Sequence, residues 1–142
     1  MNPKLALQIL LGLVGLAHLI LGLLANLVSP ELLTKITALS YGATIDVTPQ
    51  LHHLIRMLGA FMIGVGGLAF VAARDPQHHR AIIIGIIAIL VLRVVQRVLA
   101  MDEVTAAFGL STTRVWMQAG FFLAIAAVLL ALLPPRNAPE PA

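Results

Sequence analysis

The sequence predicts an all-α integral membrane protein, a four-helix transmembrane bundle with a short interfacial helix after the first span. Three observations carry that prediction. Four apolar stretches each reach the roughly 20 residues that cross a hydrocarbon core as a helix. The mean hydropathy is +1.00. Only 11% of the 142 residues are charged, against about a quarter in a soluble domain. The chain reads as one membrane domain, residues 1–142.

The first span covers about residues 5–28 and contains no charge. Its core is longer than the apolar region of a signal peptide and no small-residue cleavage site follows, so it reads as a retained helix. Gly15, His18, Gly22 and Asn26 recur at three- and four-residue intervals and share one face. The glycines there let a second helix approach closely.

Ser29, Pro30 and Glu31 form a helix start: an N-cap hydroxyl, a proline in the first turn and an acid at the positive dipole end. Residues 30–39 alternate Leu32, Leu33, Ile36 and Leu39 with polar side chains, which suits a short helix lying at the membrane interface. Residues 40–50, with Gly42 and Pro49, form a loop.

The second span covers about residues 51–73. His52, Arg56, Gly59, Ile63 and Gly66 make one stripe; His53, Ala60, Gly64 and Gly67 make the next, which is read as the small-residue packing face. Residues 74–80 are a tight turn whose His78 and His79 point apart on a regular backbone and read as solvated, not as a metal pair. The third span, about 81–100, carries Arg93, Gln96 and Arg97 on one face. Its 13 large aliphatic residues, at roughly 0.5 kcal/mol each, offset two arginines placed away from the centre. The helix is expected to run on to Phe108 and stop at Gly109. Ser111 caps the fourth span, about 114–133, which has Trp116 near its start and Gln118 one turn past Arg114. The proline-rich tail, 134–142, is expected to be disordered.

Nine Lys and Arg face six Asp and Glu, scattered singly. That pattern excludes a nucleic-acid surface and leaves membrane lipids as the expected partners, with a membrane protein or a second copy also open. Without cysteine, disulfides, thiolate metal sites and cysteine nucleophiles are excluded. No HExxH, GxSxG or other nucleophile and base arrangement occurs, and the spans hold no carboxylate for a proton relay. No catalytic residue, cofactor or metal site is expected.

Lys4, Arg74, Arg80 and Arg136 lie on the side of the termini and the 74–80 turn, against Lys35 and Arg114 on the loop side. If Arg56, Arg93 and Arg97 are set aside as buried, the balance favours cytoplasmic termini in an inner membrane. At 1.5 Å per residue, the polar residues inside the spans fall in the loop-side half. The other half is apolar and glycine-rich. The expected result is a bundle closed at the termini end, with a polar vestibule formed by Arg56, Arg93, Arg97, Gln96, His52, His18 and Gln118 at the loop end.

Three readings of that vestibule follow. In the first, Glu31, Asp46, Asp102 and Glu103 reach the arginines as internal ion pairs, and the protein is a non-enzymatic accessory or structural component of a membrane assembly. In the second, the arginines hold the phosphate or carboxylate of an anionic amphiphile, lipid or quinone-like, with its tail in the apolar half. In the third, His18 and His52 or His53 ligate a haem whose propionates meet the arginines.

The layout of a first helix, an interfacial loop, the helix LIRMLGAFMIGVG, a short basic turn and a helix closing on RVVQRVL resembles small uncharacterised bacterial four-helix membrane proteins of the domain-of-unknown-function type, and more distantly the DoxX-like proteins. The likeness covers about residues 5–133 and implies a bacterial inner-membrane protein without assigning a catalytic residue. Where that group is expected to carry an acidic residue early in the second helix, this chain has His52 and His53.

Overall fold

The computed structural model describes residues 2–43 and 45–135, without the side chains of Ser40 and Tyr41. The expected tail beyond residue 135 lies outside the described residues. The described chain is all-helical: α1 (Pro3–Leu27), α2 (Pro30–Tyr41), α3 (Pro49–Arg74), α4 (Arg80–Leu99), α5 (Met101–Phe108) and α6 (Thr112–Ala131). Four of these, α1, α3, α4 and α6, are long and apolar enough to cross a membrane.

Local chemistry sets the helix ends. The Asn2 side chain accepts from Lys4 N–H at 3.0 Å ahead of Pro3. Ser29, Thr48 and Ser111 accept from the first-turn amides of α2, α3 and α6. Proline follows directly in α2 and α3, where its missing N–H costs no helical bond. Gly42 and Gly109, at φ 64° and 63°, end α2 and α5 in the left-handed conformation that glycine adopts without a Cβ clash. The expected continuation of α4 to Phe108 does not hold. Ala100, at φ −100° and ψ 25°, breaks the helix where the aliphatic run gives way to Asp102 and Glu103, and α5 starts anew.

The closest contact joins α1 and α3, which run antiparallel. A Cβ built on Gly22 would lie 2.6 Å from the Gly59 carbonyl oxygen, and one built on Gly66 would lie 2.9 Å from that of Gly15. The two glycines on each helix are seven residues apart, so both crossings fall on one face and the backbones touch twice. The face of α1 predicted for close approach is therefore the one used. On α3 the packing face is Gly59 and Gly66, not Gly64 and Gly67, which have nothing within 4 Å of an added Cβ. Gly67 follows Gly66 by a single residue, about 100° around the helix, and that rotation takes it off the seam.

α4 and α6 form the second antiparallel pair, and α3 joins it to the first, without close backbone packing of α1 on α6 among the described residues. In the half nearest the termini, Leu7, Leu11, Ala72, Ile83, Ile86 and Leu129 close a common core. Gln8 donates to the Arg74 carbonyl and Arg80 to that of Pro134, tying the helix ends there. Pro76 in the connecting turn is fully buried. No comparable core fills the half nearest the loops, and the two helix pairs part there.

Candidate functional site

Where the pairs part, α1, α4 and α6 enclose a groove of about 790 Å³. α1 and α6 are its walls and α4 its floor. Its lining is apolar except for His18, Arg93 and Gln118. Measured by helix rise from the termini end, all three stand at one level, about 20 Å up. From that level the groove descends about 11 Å to Leu10 and Ile125, where the common core stops it.

The three polar groups are held differently. His18 Nδ1 lies 2.8 Å from the Val14 carbonyl, one turn back on the same helix. A carbonyl only accepts, so Nδ1 carries a proton and donates it to Val14. The Arg93 guanidinium lies over the Phe122 ring, 4.7 Å from its centre, an arrangement in which the ring quadrupole attracts the cation. Gln118 buries Oε1 without a hydrogen-bond partner among the described residues. Arg93 is the one cation on the lining, and no carboxylate lines the groove. In a low-dielectric cleft a lone positive charge favours a single negative one on a bound molecule.

The predicted site residues divide in two. The structure brings His18, Arg93 and Gln118 together. It leaves Arg56, Gln96, Arg97 and His52 off the groove lining: Arg56 and Gln96 are exposed, and Arg97 and His52 are partly buried. The expectation that Arg56 is buried is thus overturned: Arg56 belongs to the Gly59 and Gly66 stripe that faces α1, but it stands about 60° around the helix from Gly59, at the edge of the seam, and is exposed. His52 stands at the start of α3, close enough to Glu31 to favour its ionised form. Its Nε2 is buried with no hydrogen-bond partner among the described residues.

Neither Arg56 nor Arg93 makes an ion pair among the described residues. Asp46, Asp102 and Glu103 are exposed, so the expected pairing of these two arginines with loop carboxylates is not found there. Glu31 is also exposed; the Ser29 hydroxyl beside it holds its carboxyl below the ordinary glutamate range.

The histidine pair needed for a haem does not form. The α1·α3 crossings set Gly15 level with Gly66 and Gly22 level with Gly59. His18 then stands about 16 Å along the axis from His52, whereas two axial ligands must meet across one iron. In the turn, His78 and His79 do not point apart but meet edge to face, ring centres 5.0 Å apart.

Phe122 was not singled out by the sequence reading, though a signal was present: it follows Gln118 by four residues and so shares its face of α6. No protein-family model, curated protein sequence or solved structure matches this chain.

Proposed function

We propose that this chain is a non-enzymatic multi-pass membrane protein that binds an anionic amphiphile in the groove between α1, α4 and α6. The observation that carries the reading is the polarity of that groove: one unneutralised guanidinium, with His18 and Gln118 at its level, above an apolar trough. A head with one negative charge pairs with Arg93, and the tail replaces water along Leu10, Leu13, Ala17 and Ile125.

The outer surface supports the membrane setting. Leu27, Leu54, Leu58, Phe61, Leu92 and Leu130 are all more than half exposed, far more large apolar surface than a monomer keeps in water. The groove is not sealed from its surroundings, as entry of a ligand from the hydrocarbon requires. The loop cations favour cytoplasmic termini in a bacterial inner membrane. A purely structural accessory role rests on ion pairs at the arginines, and Arg93 is held instead by an aromatic ring.

Lipid extraction from protein purified in mild detergent tests the reading. The wild type should carry a near-stoichiometric anionic amphiphile, and Arg93→Leu should lose it while keeping its helical circular dichroism. Equal amounts of bound lipid in the two proteins would end the proposal.

A further inference from the structure

Resting on that reading, we propose that the groove takes a single-chain carboxylate, a free long-chain fatty acid, in preference to a two-chain phospholipid. The shape of the groove is the first argument. Below the level of Arg93 it is a single apolar trough between α1 and α6, descending about 11 Å to Leu10 and Ile125. One trough beside one cation matches one acyl chain on one charged head, whereas a phospholipid brings a second chain for which the lining offers no second trough.

Depth is the second argument. Arg93 lies six residues before the end of α4, about 9 Å below it, and its stacking on Phe122 holds the guanidinium at that depth. A phospholipid phosphate sits at the headgroup level with its glycerol esters, so meeting Arg93 would pull the whole polar unit down beside apolar walls, at the cost of desolvating each ester. A carboxylate is the end of its own chain and carries nothing else down.

Geometry at the head agrees. Phe122 covers one face of the guanidinium, leaving its in-plane N–H edge, which a planar carboxylate meets with both oxygens. Gln118 has Oε1 buried, which leaves its amide N–H₂ as a further donor at the same level.

The test is native mass spectrometry from a non-ionic detergent with palmitate and dipalmitoyl phosphatidylglycerol at equal concentration. Two variants accompany the wild type. Arg93→Leu removes the cation, and Ala17→Trp, at an exposed position on the α1 wall, fills the groove without disturbing the core. Palmitate should bind one to one and at least about tenfold tighter than the phospholipid, a margin that the cost of desolvating the phospholipid's ester groups can supply. Both substitutions should remove it. If phosphatidylglycerol binds as tightly or more tightly and both substitutions remove it, the single-chain assignment falls and the amphiphile reading stands. If neither ligand responds to either substitution, the groove is not the site and both fall. Should Arg93→Leu fail to fold, Ala17→Trp decides alone.

Discussion

Replacing Gly22 by alanine should loosen the whole α1·α3 pair, and its size can be worked from the contact. The added Cβ would sit 2.6 Å from the Gly59 carbonyl oxygen, 2.8 Å from Ile63 Cγ1 and 3.0 Å from Ile63 N. Ordinary contact begins near 3.4 Å, so the helices must part by most of an ångström. Two of the three obstacles are backbone atoms, which cannot rotate away. A gap of 0.5 to 1 Å forfeits roughly a quarter to a half of each affected dispersion contact, and overpacking in tight interiors costs about 1 to 3 kcal/mol; about 2 kcal/mol is expected here. Gly64→Ala on α3 is the control, since nothing lies within 4 Å of its added Cβ and helix propensity favours alanine by up to about 1 kcal/mol. At roughly 3 to 5 °C per kcal/mol for a chain of this length, the two variants should differ by about 6 to 15 °C in Tm, with Gly22→Ala the lower. Thermal unfolding in one detergent, followed by circular dichroism, measures it. Equal Tm values, or a higher one for Gly22→Ala, would refute the close contact.

Further outcomes follow from the loops and caps. Asp102→Ala and Glu103→Ala, at exposed positions, should each change stability by no more than about 0.5 kcal/mol; a loss near the 3 to 5 kcal/mol typical of a broken buried pair, read by the same melting assay, would restore the ion-pair reading. Glu31 should titrate below the ordinary glutamate value, and Ser29→Ala should move its midpoint up, because the Ser29 hydroxyl is the largest cause of the lowering. Since the folded value is the depressed one, the stabilisation is full above the unfolded value and is lost as pH falls through the folded one; carboxyl chemical shifts across pH 3 to 6 follow it. A C-terminal fluorescent reporter that matures only in the cytoplasm should be bright, and a dark one paired with an active periplasmic reporter would reverse the proposed orientation.

Much of the scaffold was legible because membrane-length helices and their caps are written locally. Ser29, Ser111 and Gly109 act where their chemistry placed them, and Gly15 and Gly22 mark the face of α1 that meets its neighbour. What periodicity does not contain is the rotation of one helix about its axis relative to the next. Two glycine stripes ran along α3, about 100° apart, and nothing local says which one turns to α1. Arg56 belongs to the stripe that does turn to α1, yet it stands about 60° around the helix from Gly59 and remains exposed, so sharing a stripe does not ensure burial. The same indeterminacy divided the third span, where Gln96 and Arg97 share a face with Arg93 but only Arg93 reaches the groove. The level of His18, Arg93 and Gln118 was within reach of helix rise alone. Their meeting depended on the seam between α1 and α6, which is a property of the assembled chain. The break at Ala100 carries no glycine or proline to announce it.

The groove has as its two walls the first and the last of the long helices. During synthesis the glycine pair and the floor can assemble before the second wall exists, so the groove is complete only once α6 has been made. A ligand of the kind proposed, touching both walls, would clasp α1 to α6 and stabilise only molecules in which both have been made. On the proposed reading, the supply of the amphiphile would then govern how much of the protein survives, as well as how much of it is occupied.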